Sequence, residues 1–236
     1  MTVTLATFIT LCRERLADPL STYWTDAELA DWINDGIMEY SQVFPRIRST
    51  AFFAVVNQRE YDLPYDCRAI TRVQYTETAD HNTDPYRYLT RKPLTDPDFF
   101  VTEYAYDWVK RLEDDASSDP QCPWLMLSFL PDSASDSIAV EYRGEHTILV
   151  DAADVSTVPH DHINLIVQYV VFLAFQFRAS HEMLAPADPF NNQSGIFSQN
   201  AVRAERLYRS AVAAAQKAHA ESNTAVWHMD KWDRIY

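Results

Sequence analysis

The chain has 236 residues, 47% of them hydrophobic, and a formal net charge of −14; at that length about 70% of the unfolded surface can be buried without a disulfide or metal staple. Its acidity disfavours sequence-independent nucleic-acid binding, which works by neutralising phosphates, and docking on anionic lipid. Only three glycines occur, against about 16 at ordinary usage, and Gly36, Gly144 and Gly195 stand alone, which excludes glycine-cradled kinase, P-loop and dinucleotide sites.

The opening "MTVTLATFITLCRER" lacks the basic start and small-residue cleavage site of a signal peptide. Leu5, Phe8, Ile9, Cys12 and Leu16 share one face, so the spacing predicts a helix over about Thr4–Ala17. A second helix, Asp26–Val43, is announced by a capping box: the Thr25 hydroxyl accepts from a free first-turn amide and Glu28 reaches back to the Thr25 amide. Trp24 precedes the cap and is placed to staple onto Leu29, while Leu29, Trp32, Ile33, Ile37 and Tyr40 form the apolar stripe. Pro45 closes this helix.

The pattern then changes. "AFFAVV", the polar turn "NQRE" and "YDLP" read as strand, turn and strand, and Ala69–Thr78 continues with β-branched residues in partial alternation. Residues 79–98 read as loop, and "DPDFFVTEYAYDWVKRLEDD" as a short helix carrying Trp108. "WLMLSFL", opened by Trp124, and "IAVEYRGE" flank "PDSASDS" and predict a hairpin. From Pro159 a helix returns; Ile163, Ile166, Val167, Val170, Leu173, Ala174 and Phe177 share a face that Val171 and Phe172 widen nearly all round, so it must be covered on several sides. Its apolar run carries Asn164, Gln168 and Gln176 and is short of the ~20 residues that span a bilayer. A last helix is expected over about Phe197–Glu221 with a small-residue seam, followed by "NTAVWHMDKWDRIY", which shows no helical stripe. The order α-α, β, α-α defines an α+β fold: a helical bundle made from the N- and C-terminal helices (1–48 and 158–222), a β-rich inserted module (49–157) and a C-terminal docking tail (223–236).

No constellation for chemistry emerges, and no catalytic, metal or cofactor site is expected. His160 and His162, at i, i+2 on a helix, point about 200° apart and cannot share a metal, while Asp161 suits the helix start. The run Glu113–Asp119 lacks the ligand alternation and central glycine of a calcium loop; it leaves a carboxylate pair such as Glu113 and Asp115 as the basis of a cell-wall hydrolase alternative, against a solvated acidic loop. Ser128 has no flanking glycines, and His181 and His219 stand singly on helices. Cys12, Cys67 and Cys122 form no CxxC pair, so neither zinc nor redox chemistry is signalled. Trp24, Leu29, Trp32, Ile33 and Ile37 are assigned to packing of the bundle. Trp227 and Trp232, with Arg234 and Tyr236, lie in the tail, where large aromatics beside arginine suit an interface anchor; the alternative is a tail folded back on its own domain.

Patches in order, from about residue 5 to 215, resemble a known family. "YWTDAELADWINDGIMEYS" is similar to the "W-[ST]-D-x-E-[LI]-x-x-W-I-N" helix, preceded by a short first helix, of phage head-to-tail adaptor (connector) proteins. "NQREYDLPYDCRAITRVQY" resembles the family's "Y-x-L-P-x-D" strand and the β segment after it, although "NQRE" replaces the usual glycine of the preceding turn. "IAVEYRGEHTILVDAADVSTVPHDHINLIVQYVVFLAF" resembles its "Y … P" lead into a long apolar helix. The resemblance implies a virion protein, made in the bacterial cytoplasm and placed at the neck, that forms a homo-oligomeric ring of commonly twelve copies beneath the portal protein. It also implies a platform for tail or nozzle proteins and an open channel for double-stranded DNA, with the C-terminal segment reaching the portal. A tail-completion or tail-tube protein of the same machinery is the alternative. No membrane partner is implied.

Overall fold

A computed structural model describes residues 2–21, 23–77, 86–109, 122–184 and 193–232. The fold is α+β, with four α-helices and two sheets among the described residues. The described elements divide into two compact units, one formed by Met1–Phe44 with His146–Tyr236, the other by Pro45–Glu145.

In the first unit, α1 (Leu5–Leu16) starts where the Thr4 hydroxyl accepts from the Thr7 amide, and α2 (Asp26–Val43) carries both halves of the expected capping box. Arg13, near the end of α1, ties the connection together. Its guanidinium donates to the Asp18 carbonyl (3.2 Å), the Trp24 carbonyl (3.1 Å) and the Asp26 carboxylate (2.5 Å). The buried Asp18 carboxylate accepts from the amides of Tyr23 and Trp24 at 3.0 and 3.2 Å. The chain returns after Glu145 as an extended segment along α1 and α2. Asn34 holds it as a strand neighbour would, donating to the Leu149 carbonyl and accepting from its amide, both at 2.9 Å.

Residues His160–His162 form a single 3₁₀ turn that leads into α3 (Ile163–Leu184). α3 packs against α1, α2 and α4 (Gln193–Trp232). Ile163, Leu165, Ile166, Val167, Val170 and Ala174 of α3 join Phe8, Cys12, Leu29, Ile33 and Ile37 in one core. By length and composition alone His160–His181 could cross a membrane; that core accounts for its apolar face. α4 continues to Trp232, beyond the expected end near Glu221, because no glycine or proline interrupts it from Ile196 onward.

The second unit is a two-layered β structure. One sheet has the order β1 (Arg46–Phe53), β8 (Ser137–Gly144), β3 (Ala69–Thr76), β4 (Tyr86–Tyr88); the other has β2 (Glu60–Asp62), β7 (Trp124–Leu127), β6 (Ala105–Val109), β5 (Thr90–Arg91). All pairings are antiparallel except β5 with β6. Ile70, Val73, Tyr75, Ile138, Val140 and Tyr142 from the first sheet share a core with Tyr61, Tyr106, Leu125 and Leu127 from the second. The irregularity between Ile70 and Arg72 shifts the inward set of β3 from even to odd numbers, which explains its broken alternation.

Three local expectations are corrected. The segment around Trp108 is a 3₁₀ turn, Phe99–Val101, followed by strand β6, so Trp108 lies on a strand. β7 and β8 do not pair as a hairpin, since each joins a different sheet. Residues 86–88 and 90–91, read as loop, are short strands. In the turn after β1, Asn57 occupies the left-handed region (φ 62°), a conformation that asparagine tolerates better than most residues.

Candidate functional site

Leu29, Ile33 and Ile37 are fully buried, and Trp24 nearly so. Trp24 meets Phe175 edge-on at 6.3 Å, and half-buried Trp32 leans on Phe177 with ring centroids 5.5 Å apart. These contacts join α2 to α3 within one molecule. Trp227 and Trp232 stand on the backbone of α4; Arg234 and Tyr236 lie outside the described residues, as do Glu113 and Asp115.

His146 and His162 act as packing and hydrogen-bonding groups. His162 Nδ1 meets the Tyr40 hydroxyl at 2.5 Å. His146 Nε2 donates to the Phe44 carbonyl (3.1 Å), leaving Nδ1 to accept from the Thr157 hydroxyl (3.0 Å) in the neutral ring. Among the described residues no group of three or more His, Cys, Asp or Glu side chains could hold a metal. Burial pushes the Cys12 thiol up to about 12 and the Cys67 thiol up to about 11, so both remain protonated and unreactive at neutral pH.

In the β unit a cavity of about 400 Å³ opens between Tyr75, Tyr104 and Phe129, with Glu77, Glu103, Asp132 and Asp136 around it. Tyr75 donates to Asp136 at 2.5 Å and Tyr104 to Glu77 at 2.9 Å. Burial first, then these carboxylate partners, raise both phenols above their ordinary range, so they stay protonated as donors. Arg87 already lies over the Tyr104 ring at 4.3 Å and pairs with Glu77 at 3.3 Å. The cavity is therefore partly satisfied from within.

The helical unit presents two outward stripes. On α2 the residues opposite the core, Asp31, Asp35, Met38 and Gln42, are all exposed, and α2 contains five acidic residues (Asp26, Glu28, Asp31, Asp35, Glu39) and no lysine or arginine. On α4, Ala201 and Ala204 are buried, and the opposite side exposes Ile196, Gln199, Arg203, Arg206 and Ser210, flanked by Val202 and Leu207. A groove of about 380 Å³ lies between α2, α3 and α4, lined by Val43, Tyr169, Phe172, Tyr208 and Val212 among others. Sequence reading attended to the inner seam of α4 and overlooked its outer stripe; the 196, 199, 203, 206, 210 spacing is its signature.

What the molecule offers is thus an α+β architecture with long helices whose outer faces carry paired apolar and charged groups. The family model described as SU10 adaptor protein matches residues 3–229, and the chain belongs to that family of phage head-to-tail adaptors. The match takes in Trp227 and stops before Trp232, Arg234 and Tyr236. Among curated proteins none matches the sequence significantly.

Proposed function

We propose that this phage adaptor is a non-catalytic ring subunit of the virion neck, standing beneath the portal protein and giving tail or nozzle proteins their platform. A ring of about the twelve copies that the adaptor resemblance implies leaves a channel through which double-stranded DNA passes without being held. In this reading the helices from the two ends of the chain form a bundle that builds the ring wall, and the β-rich middle is a separate inserted module. Trp227, Trp232, Arg234 and Tyr236 anchor the C-terminal segment to the portal. The single observation carrying the reading is the family match over residues 3–229. It is supported by the net charge of −14, since an acidic wall repels phosphate at distances within a Debye length of about 8 Å at physiological salt.

The test is a density map of the intact neck together with co-purification of the chain with portal. A ring directly under the portal is expected. A ring lower down, along the tail, favours the tail-completion or tail-tube alternative, and a monomer with no place in the particle overturns both. Removing residues 223–236 is expected to abolish portal attachment; unchanged attachment would refute the anchor.

A further inference from the structure

The outer faces of α2 and α4 are complementary to each other, and each is open. Met38 is 41% exposed on the first, while Ile196, Val202 and Leu207 are 60%, 45% and 56% exposed on the second. Asp31 and Asp35 on one face, and Arg203 and Arg206 on the other, make no ion pair among the described residues. Arg209 does not share this role, because it is held by Glu205 one turn back at 2.5 Å. At a rise of about 1.5 Å per residue, the Asp31–Gln42 stripe extends for about 17 Å and falls within the Ile196–Ser210 stripe of about 21 Å. The two carboxylates stand about 6 Å apart along α2 and the two guanidinia about 4.5 Å apart along α4, a difference that arginine side chains absorb.

We infer that the outer face of α4 docks on the outer face of α2 in a second copy of this chain. Asp31 and Asp35 then meet Arg203 and Arg206 of the neighbour, and Met38 covers its Ile196, Val202 or Leu207. Each copy uses one face toward one neighbour and the other face toward the next. The contact is therefore heterologous, and repeating it closes a ring if the rotation permits. Like charges disfavour α2 against α2 and α4 against α4; a two-fold pair that sets each α4 on the partner's α2 is the closed alternative, and a dimer in place of a ring overturns the inference. The inference rests on the ring reading above and names the surfaces that build it.

Two variants test it: Asp31→Lys with Asp35→Lys, and Arg203→Glu with Arg206→Glu. All four positions are exposed, so native circular dichroism is expected from both. Each variant alone places like charges across the contact and is expected to lose the ring, measured by mass photometry and negative-stain microscopy with portal present. Mixed in equal amounts, the two are expected to regain it by alternation, because each now presents to the other the charges it repels in itself. A chain carrying all four changes is expected to form rings unaided.

If the wild type forms rings and the single-face variants do so equally well, the inference is wrong while the ring reading stands. Rings that persist while particles lose the chain assign the α4 stripe to another protein, which also overturns it. Ring loss without recovery on mixing means that the two stripes are not partners. No ring from the wild type, alone or on portal, removes the reading beneath.

Discussion

Replacing Arg13 by alanine is the sharpest test of how the helical unit is held. Arg13 is 11% exposed in its side chain and faces Asp18, which is 3% exposed, at 3.6 Å; its other carboxylate partner, Asp26, is 68% exposed. The solvent-facing pair contributes at most about 1 kcal/mol. The buried part is larger. Without the guanidinium, the Asp18 carboxylate keeps the amides of Tyr23 and Trp24 among its partners, and the carbonyls of Asp18 and Trp24 lose a donor. Breaking a buried pair on one side costs about 3–5 kcal/mol. Surviving bonds to the carboxylate, the Tyr23 and Trp24 amides among them, hold the expected loss at the lower end, about 3 kcal/mol, since hydrogen bonds to a charged group are worth about 1.5–3 kcal/mol each.

Urea unfolding followed by tryptophan fluorescence measures this loss. With a slope of about 2 kcal/mol per molar, the midpoint of the helical transition falls by about 1.5 M. Arg13→Lys, which keeps the charge without the fork, is expected to lie between alanine and wild type. Combining Arg13→Ala with Asp18→Asn should cost less than the sum of the two, by about 1 kcal/mol or more. An alanine variant that loses under about 1 kcal/mol, or strict additivity in that cycle, refutes the clamp.

Further outcomes follow from other sites. In Gly144→Ala the new methyl would sit 2.8 Å from the Asp66 carboxylate, which also binds Arg48 at 2.5 Å and Tyr142 at 3.3 Å; a loss of about 1–3 kcal/mol is expected in the β-unit transition, and a neutral result contradicts the crowding. Native protein at pH 8 should react with a disulfide reagent through half-buried Cys122 alone, with Cys12 and Cys67 labelled only in denaturant. Glu28 is held below the usual carboxylate range by the Thr25 amide and then its hydroxyl. Its contribution is therefore present above the unfolded pKa of about 4.3 and is lost as pH falls through the lower folded value. Glu28→Gln should accordingly cost under about 1 kcal/mol at pH 7, with the gap to wild type closing in acid; a gap that widens in acid would falsify the assignment.

What the chain determines locally is clearest in α2, whose bounds and capping box follow from Thr25, Glu28 and an apolar stripe all lying within one helix. The α+β class follows in the same way, from periodicities that each segment carries by itself. Even the adaptor family is legible, because its signature consists of such segments in order. Partnership between segments is a different matter. β7 and β8 adjoin in sequence, yet Leu125 pairs with Tyr61 and Trp108, whereas Val140 pairs with Thr50 and Val73. An inward-pointing strand reads the same whichever sheet receives it. Trp108 fits a strand as readily as a helix, and only the ladder between β6 and β7 decides. The outer stripes of α2 and α4 were likewise present in the sequence as spaced charges; packing of the opposite sides against α3 is what leaves each of them exposed.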